Sequence, residues 1–428
     1  MDTLGGFSIK LTREEKEILE GKQGYPAQKS LEIIIALGEC FDAEKMIPIR
    51  SSHLLYSVDA LGKGGSSFVR RMAAMGGRFS VFTDTNPSSV EDRMDRGCPI
   101  SESIVQEQTS LAKTISHMGA FLSNTCAPYL SGHVPLLGQH VAWSESSAVA
   151  FANSILGART NREGGPSALA AAITGRVPNY GCHLGEKRLG DLKIVVSTPL
   201  EQPHEYGMLG LFAGKIAGDK VPVFEGVPPN SSWDGLKQLS AAIATSGSVA
   251  LYHIVGITPE APSEEIAFGG KRVRELQVYE FSAAEERDTA EKLSTSESKE
   301  VDLVVFGCPH ASITELQAIA GSLEGKKLTY GTQLWTFTSR MTKAYAEVMG
   351  YVSVIEAAGG KVFSGACPVW LFKRFTEEGR PRVIATDSAK LTSAMGIHRA
   401  QGPEFGFYYG STRECVAAGI RGRKVSIG

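Results

Sequence analysis

The stretch VDLVVFGCPH, residues 301–310, decides the fold of this chain. Its first part, Val301–Phe306, is rich in β-branched and apolar side chains, which is typical of a buried strand. The proline directly after Cys308 prevents that strand from continuing regularly. We therefore expect the thiol at the end of a strand, and in open α/β proteins ligands bind at that end of the sheet.

Two other cysteines have the same surroundings. Cys126 follows the small apolar run Ala120–Leu122 within the sequence Thr-Cys-Ala-Pro, and Cys367 follows Val362–Phe363 within Ala-Cys-Pro-Val. Three strand ends of this kind predict that the three thiols converge on one site. Three thiolates suit an iron–sulfur cluster with one iron left open.

Each cysteine taken alone has a simpler interpretation as a small buried hydrophobic residue. The total of seven is odd, which argues against a complete disulfide framework. The start of the sequence does not resemble a signal peptide, so we expect a reducing, cytoplasmic location. The close C-x-x-C pairs of structural zinc sites are absent. The cysteines that we expect to be packing or surface thiols are Cys40, Cys98, Cys182 and Cys415.

Length and charge limit the classes of function. The 428 residues are enough for two or three α/β domains, and the formal net charge is −2 with both signs mixed along the chain. No basic surface for nucleic acid or for a membrane is expected from this pattern. The longest apolar runs are far shorter than the ~20 residues that a helix needs to cross a bilayer. Small molecules are the expected partners.

Strand-like and helix-like segments alternate along the chain, which predicts an α/β fold with several largely parallel sheets flanked by helices around a central cleft. Thr12 and Glu15 form a capping box at a first helix, and Pro26 begins a second. We divide the chain into an N-terminal region (1–190), a middle region (191–300) and a C-terminal region (301–428). The other expected strands are Met46–Ile49, Phe79–Thr83, Leu192–Val196, Val249–Ile254 and Arg382–Ala385.

The densest polar stretch runs from residue 143 to residue 183. It predicts one helix over Ser146–Leu156 and a second over Ala168–Ile173, which Gly-Gly-Pro-Ser at residues 164–167 precedes. The free amides of that second helix start, with nearby arginines, make Arg159–Ser167 a candidate anion site. An ordinary capped helix with surface arginines is the alternative. The candidate substrate-binding residues are Ser147, Asn153, Arg159, Asn161, Arg162, Gly165, Ser167, His183 and Lys390.

Several of these candidates have structural alternatives. His310 lies two residues after Cys308 and precedes a second capping box, so it could meet a substrate or only support a helix. His183 is a lone histidine, and such residues commonly make one structural hydrogen bond. Ser388 and Lys390 follow an expected strand and could bind a carboxylate or face solvent. Motifs of nucleotide-binding proteins, zinc proteases and serine hydrolases are absent.

Cys126, Cys308 and Cys367 in their proline contexts, together with Trp143–Ala148 and Asn153–Gly165, resemble the large subunit of the aconitase X family over almost the whole chain. The resemblance implies an aconitase-like fold with these three cysteines as cluster ligands. It implies a 4Fe-4S cluster with one labile iron, with 3Fe-4S or 2Fe-2S as alternatives. It also implies a hydro-lyase that removes water from a small hydroxy acid.

The resemblance leaves the substrate open. The family acts either on (R)-5-phosphomevalonate, giving trans-anhydromevalonate 5-phosphate in an isoprenoid (mevalonate) pathway, or on cis-3-hydroxy-L-proline. The segment Asn161–Ser167 is more similar to the phosphomevalonate branch, and an anion site beside arginines suits a phosphate. A non-catalytic iron–sulfur sensor is the alternative of a different class.

The family also implies a partner. Aconitase-like enzymes have a swivelling domain that completes the site and contributes a catalytic serine, and in this family that domain is either fused or a separate small subunit. The large-subunit pattern fills this chain, so we expect a small swivelling-domain subunit in a heterodimer. The candidate catalytic residues within this chain are Ser146, His310 and Ser388.

Overall fold

The computed structural model describes residues 9–91, 100–270, 276–375, 380–397 and 405–425. Helices alternate with strands throughout these ranges, and most strand pairs are parallel. The expected α/β class, with several parallel sheets flanked by helices, is confirmed. Cys98 lies outside the described residues. None of the described helices is both long enough and apolar enough to span a membrane.

The strands of the described ranges are β1 (Met46–Pro48), β2 (Ser51–Leu54), β3 (Phe82–Thr85), β4 (Ala142–Trp143), β5 (Arg176–Pro178), β6 (Leu192–Val196), β7 (Pro222–Glu225), β8 (His253–Ile254), β9 (Gln277–Phe281), β10 (Leu303–Ala311), β11 (Gln333–Thr338), β12 (Lys361–Ser364), β13 (Val383–Thr386) and β14 (Gly406–Tyr409).

The helices there are α1 (Arg13–Leu19), α2 (Tyr25–Cys40), α3 (Val58–Ala74), α4 (Glu102–Met118), α5 (Ser146–Ser154), α6 (Gly165–Thr174), α7 (Pro203–Ala217), α8 (Trp233–Gly247), α9 (Glu264–Ala267), α10 (Ala283–Leu293), α11 (Ile313–Leu323), α12 (Arg340–Val348), α13 (Tyr351–Ala357), α14 (Pro368–Phe372), α15 (Ala389–Ile397) and α16 (Thr412–Arg421). Short 3-10 turns cover Pro128–Ser131, Gly181–His183 and Gly185–Arg188.

Three parallel sheets organise the chain, in the orders β3-β2-β4, β8-β7-β6-β9 and β12-β11-β10-β13-β14. The strands of each sheet come from one stretch of the sequence, namely 51–143, 192–281 and 303–409. The exact boundaries after residues 190 and 300 stay a prediction. Because parallel strands present their carboxyl ends at one edge, the residues that follow β2, β4, β10, β12 and β13 are well placed to form a common site.

One strand pair departs from the expected parallel arrangement. The strand at residues 46–48 forms, but it pairs antiparallel with β5, with Met46 opposite Pro178. The reason is local, because Gly175 ends α6 in the left-handed conformation at φ 67° and turns the chain back. The Ile49 N–H donates to the Gly175 carbonyl at 2.9 Å, which closes this two-stranded pair.

Several predicted strand limits were wrong. The strand expected over Phe79–Thr83 begins later, at Phe82, and only His253–Ile254 of the run Val249–Ile254 pairs with a neighbour. Residues 120–122 form no strand but a single bridge from Phe121 to Asp84. Short apolar runs identify buried backbone, whereas pairing with a neighbouring strand depends on residues far away in the sequence.

The first predicted cysteine strand runs further than expected. β10 continues through Cys308 to Ala311, and its register with β11 shifts between Phe306 and Ala311. Gly307 makes this irregularity possible, because it has φ 89° and a Cβ there would lie 1.9 Å from the Phe337 carbonyl oxygen. Cys308 therefore lies in an interruption of the ladder rather than after the strand.

Predictions about helix starts were more accurate. Thr12 and Glu15 form the expected capping box at α1, and Pro26 lies in the first turn of α2. Ser312 and Glu315 form the second expected capping box, at α11. Such caps involve residues three positions apart, so the local sequence alone determines them.

Candidate active site

Three different elements carry the three cysteines. Cys126 lies in the bend before the 3-10 turn at 128–131, Cys308 in the interrupted part of β10, and Cys367 at the N-cap of α14. The Cys126 Sγ accepts the backbone N–H of His310 at 3.2 Å, which joins the first two elements. The Cys367 N–H donates to the Ser88 carbonyl at 3.1 Å.

Hydrogen bonds of His310 join the three cysteine segments, because its N–H donates to Cys126 Sγ at 3.2 Å and its Nε2 lies 2.8 Å from the Ala366 carbonyl oxygen. Burial raises the pKa of Cys126, and the negative charges of Glu145 and Cys308 raise it further. Burial also raises the pKa of Cys308 to about 12, with Cys367 adding to the shift and Lys390 opposing it. Burial raises the pKa of Cys367 as well. Buried neighbouring thiols of this kind are stable as thiolates only when a cation shares their charge.

The donor set fits an iron–sulfur cluster. Soft thiolates select iron–sulfur clusters, copper(I) and zinc, and the close cysteine pairs typical of structural zinc are absent here. Cys308 is buried, while Cys126 and Cys367 are only half-buried, so one side of the group remains accessible. The cysteine assignment nevertheless stays a prediction.

A lysine and a glutamate lie against the cysteines. Lys390 Nζ donates to Glu145 Oε1 at 2.6 Å and to Ser147 Oγ at 2.5 Å. Burial alone would lower the pKa of Lys390, but Glu145, Cys308 and Cys126 raise it above its usual range, so the ammonium stays charged. Two candidates from the sequence, Ser147 and Lys390, are thus brought together.

Glu145 was not among the predicted site residues. It is the N-cap of α5, where its Oε2 accepts the Ala148 N–H at 2.7 Å, and its side chain is 9% exposed. An acidic residue directly before the predicted helix start at Ser146 is a recognisable cap. The sequence therefore contained a signal for its position, although not for its contact with Lys390.

His310 connects the cysteine-bearing segments. Its Nε2 donates to the Ala366 carbonyl at 2.8 Å and its Nδ1 accepts the Thr125 hydroxyl at 3.2 Å, in the tautomer that satisfies both contacts. Burial lowers the pKa of His310 to about 4. Both ring nitrogens are used, so His310 holds the segments of Cys126 and Cys367 together, and its catalytic role stays a prediction.

The two candidate catalytic serines differ. Ser388 is fully buried; its hydroxyl donates to the Cys308 carbonyl and accepts the Leu391 N–H at 3.0 Å, which caps α15. These contacts give Ser388 a positioning role, and its catalytic role stays a prediction. Ser146 is half-buried at the first position of α5, next to Glu145.

The predicted anion segment divides into two parts. Arg162 is exposed, and its Nη1 donates to the Ser248 carbonyl at 2.9 Å. Burial lowers its pKa, and the negative charge of Glu145 opposes that shift. A bridge pairs the backbone of Arg162 with that of Trp143, two residues before Glu145. α6 begins at Gly165, three residues earlier than the predicted start at Ala168, so Gly165 and Ser167 lie in its first turn. The Ser167 hydroxyl donates to Glu163 Oε2 at 2.6 Å.

Arg159 and His183 do not reach this site. Arg159 Nη1 donates to the His183 carbonyl at 3.0 Å, and its Nη2 lies 3.8 Å from Glu260 Oε1. His183 is buried, and its Nδ1 lies 2.9 Å from the Nδ1 of His140. The two guanidinium groups donate to different carbonyls, and their expected contact with one anion stays a prediction.

Asn153 and Asn161 are also structural. Asn153 is fully buried, and its Nδ2 donates to the carbonyls of Thr160 and Ala250 at 2.8 and 2.9 Å. Asn161 donates to the Tyr180 carbonyl at 3.0 Å and accepts the Cys182 N–H at 2.8 Å. Protein groups already occupy these polar atoms, and the predicted substrate contacts of both residues stay predictions.

Three family profiles match successive parts of the chain. The aconitase X first domain matches residues 8–186, the second domain residues 190–291 and the third domain residues 301–421. The chain belongs to the aconitase X family. The resemblance inferred from the cysteine motifs is thereby confirmed.

Relatives within aconitase X have two named activities. The chain is 41% identical to the phosphomevalonate dehydratase large subunit of Methanothermobacter thermautotrophicus over 91% of this chain and 94% of that protein. It is 31% identical to the cis-3-hydroxy-L-proline dehydratase of Pseudomonas aeruginosa over 96% of this chain and 70% of that protein. Both names describe loss of water, so the expected enzyme class, a hydro-lyase, is confirmed.

The aconitase X fold is confirmed by a solved structure. The crystal structure of Thermococcus kodakaraensis aconitase X in its holo-form superposes with a TM-score of 0.83 at 36% sequence identity. The match covers 95% of this chain and 99% of that one. The expected aconitase-like arrangement therefore extends over nearly all of the chain.

Proposed function

We propose that this aconitase X chain is the large subunit of a phosphomevalonate dehydratase, which removes water from (R)-5-phosphomevalonate to give trans-anhydromevalonate 5-phosphate in an isoprenoid pathway. The observation that carries this proposal is the 41% identity, over 91% of this chain, to a relative that has this name. The relative named for hydroxyproline is only 31% identical, and this chain spans 70% of its length.

Cys126, Cys308 and Cys367 are the proposed cluster ligands, with a 4Fe-4S cluster preferred over 3Fe-4S or 2Fe-2S. When bound, such a cluster supplies a Lewis-acidic iron for the departing hydroxyl group. The chain contributes the surroundings: His310 and Ser388 hold the ligand segments, through the Cys126 Sγ and the Cys308 carbonyl.

Lys390 is the proposed contact for the substrate carboxylate. An ammonium group has three N–H donors, and those of Lys390 are used twice, by Glu145 and Ser147. One donor is left for a carboxylate oxygen. Because Glu145 keeps Lys390 charged, the pair can hold an anion beside the cysteines without moving a proton.

Arg162 is the proposed contact for the substrate phosphate. Its guanidinium has five N–H donors, of which one is bound to the Ser248 carbonyl, and its side chain is exposed. Charge-assisted bonds from a planar guanidinium suit phosphate oxygens. Lys390 and Arg162 would therefore bind the two ends of a phosphorylated hydroxy acid.

The base that removes the proton beside the carboxylate is proposed to come from a separate small swivelling-domain subunit. The name "large subunit" of the M. thermautotrophicus relative supports such a partner. Of the two candidate catalytic serines in this chain, only Ser146 has no positioning role, and it stays a candidate for the base.

The test is anaerobic co-expression with the small subunit, followed by parallel assays of water loss from 5-phosphomevalonate and from cis-3-hydroxy-L-proline. Turnover of the phosphorylated compound supports the proposal. Turnover of cis-3-hydroxy-L-proline alone would assign the chain to the hydroxyproline dehydratases instead. Bound iron and sulfide without turnover of either compound would favour the non-catalytic sensor.

A further inference from the structure

Two buried histidines meet one buried carboxylate beside the segment that carries Cys126. His53 lies on β2, Asp84 on β3, and His133 follows the 3-10 turn at 128–131. His53 Nδ1 donates to Asp84 Oδ1 at 2.7 Å, and His133 Nδ1 donates to the same oxygen at 2.9 Å. These residues are 0%, 1% and 7% exposed, so water takes no part in the contacts.

A group of this composition could also hold a metal ion. The distances fit hydrogen bonds instead. Ligand atoms at ~2.0–2.1 Å from a tetrahedral zinc lie ~3.3 Å from one another. The two N···O distances here are 2.7 and 2.9 Å, which are hydrogen-bond distances. The second nitrogen of His133 lies 2.7 Å from Ser51 Oγ, which completes its hydrogen bonds. His53 Nε2 is buried and has no hydrogen-bond partner among the described residues.

The carboxylate reaches the Cys126 segment directly. Asp84 Oδ2 accepts the Ser123 hydroxyl at 2.9 Å. The next residue, Thr85, continues the attachment: its hydroxyl donates to Asn124 Oδ1 at 2.9 Å and its carbonyl accepts the Thr125 N–H at 3.0 Å. Residues 123–125 are thus tied to β3 up to the residue before Cys126.

Charge explains why this attachment is rigid. Burial alone would raise the pKa of Asp84, but the two histidines hold it below its usual range, so the carboxylate stays ionised. An ionised buried carboxylate needs several donors, and here it has three, from His53, His133 and Ser123. Removing any one of these three donors would leave the buried Asp84 carboxylate with one hydrogen bond fewer.

We propose that His53, Asp84 and His133 form a positioning network that fixes residues 123–126 and thereby sets the orientation of the Cys126 thiol toward Cys308. These three residues are not among the proposed cluster ligands; they would act through the backbone of the segment. The inference rests on the proposed function in one respect, namely that Cys126 is a cluster ligand.

Asp84→Asn tests the network with almost no change in shape. The amide keeps one acceptor oxygen but turns an N–H toward groups that are themselves donors, so the three contacts cannot all survive. The variant and the wild-type complex are purified anaerobically and compared by iron and sulfide content, by electron paramagnetic resonance, and by the rate of iron loss to a chelator. We expect an altered resonance spectrum and iron loss faster by about tenfold, the usual effect of removing a group that orients a metal ligand.

His253→Gln is the matched control. His253 is also buried, at 2% exposure, and donates from Nε2 to the Arg188 carbonyl at 2.7 Å, but it lies in the middle sheet. We expect this variant to lose stability while its cluster spectrum is unchanged. If Asp84→Asn does not fold, Ser123→Ala removes the contacts of the Ser123 hydroxyl with Asp84 Oδ2 and with the Thr85 backbone but keeps both histidine contacts. We expect from it a smaller change in the same direction.

Three outcomes are distinguishable. A wild-type spectrum and wild-type iron retention in both Asp84→Asn and Ser123→Ala would overturn the network. A stoichiometric second metal that is lost from Asp84→Asn, with the cluster unaltered, would replace it by a metal site. A wild-type complex that binds no iron or sulfide would contradict the proposed function itself, because the inference then loses its cluster.

Discussion

Lys390 and Glu145 form an ion pair of 2.6 Å between two helix starts that are 245 residues apart in the sequence. Glu145 caps α5 and Lys390 lies in the first turn of α15, so the pair joins the N-terminal and C-terminal regions beside the cysteines. The side chain of Glu145 is 9% exposed and that of Lys390 is 13% exposed, so the pair is nearly buried.

Lys390→Met should destabilise the protein by about 3 kcal/mol, because it leaves the carboxylate of Glu145 buried without its cation. The double variant Lys390→Met/Glu145→Gln should recover much of the lost stability. Activity should be absent in both variants, because both lack the proposed carboxylate contact. Urea unfolding and kcat/KM, measured on both variants, separate the two effects. Recovery of activity in the double variant would contradict the proposed carboxylate contact.

Cys308→Ser should abolish the visible absorbance of the cluster, since a serine hydroxyl is a poor ligand for iron in this setting. Cys415→Ser is the control, because Cys415 is equally buried but lies in α16, where its Sγ–H donates to the Gly410 carbonyl at 3.7 Å. Iron and sulfide analysis of both proteins checks the expectation. Full cluster content in Cys308→Ser would remove Cys308 from the ligand set.

Arg162→Ala should raise the KM for 5-phosphomevalonate by about 10-fold to 100-fold, the value of one charge-assisted hydrogen bond to a phosphate. Arg159→Ala offers a control of identical chemistry whose guanidinium turns toward Glu260. The KM of Arg159→Ala for 5-phosphomevalonate should stay close to that of the wild type. Equal increases in both variants would argue against Arg162 as the phosphate contact.

Asn153→Ala should lower the free energy of unfolding by roughly 2–4 kcal/mol, because it leaves buried backbone groups around residues 160 and 250 without partners. The Asn153 side chain also accepts the Thr160 N–H at 2.9 Å. The KM for the substrate should not change. A raised KM at wild-type stability would instead restore the substrate contact that the sequence suggested.

Acid should destabilise the protein through His183. Burial lowers the pKa of His183 from 6.5 to about 3, so the folded protein keeps this ring neutral while the unfolded chain binds a proton. The contribution to stability is complete above the unfolded pKa and is lost as the pH falls below it. Between pH 7.5 and pH 5 the contribution of His183 to this loss should be about 2 kcal/mol, so His183→Gln should lose that much less stability than the wild type. Urea unfolding at both pH values tests this, and equal slopes in the two proteins would contradict it.

Features that depend on neighbouring residues could be predicted from the sequence. The capping boxes at Thr12 and Ser312, the helix that begins at Ser146 and the proline contexts of the cysteines all involve residues within a few positions of one another. Hydrogen bonds over such short separations form in the same way wherever the segment lies.

Side-chain direction was decided by the tertiary structure alone. Arg159 and Arg162 are equivalent in the sequence, yet they donate to the carbonyls of His183 and Ser248 respectively. The run at 120–122 was predicted to be a strand, but Phe121 is 51% exposed and only bridges to Asp84, because pairing depends on residues far away along the chain.

The sequence by itself thus determined the α/β class, the helix starts and the three cysteine positions. Only the tertiary structure decided that Glu145 meets Lys390 and that His53 and His133 share Asp84. The physical reason is that each of these contacts joins buried charged or polar groups from segments tens to hundreds of residues apart. Such groups find partners only when the sheets and helices have packed, and no local pattern records which partner that will be.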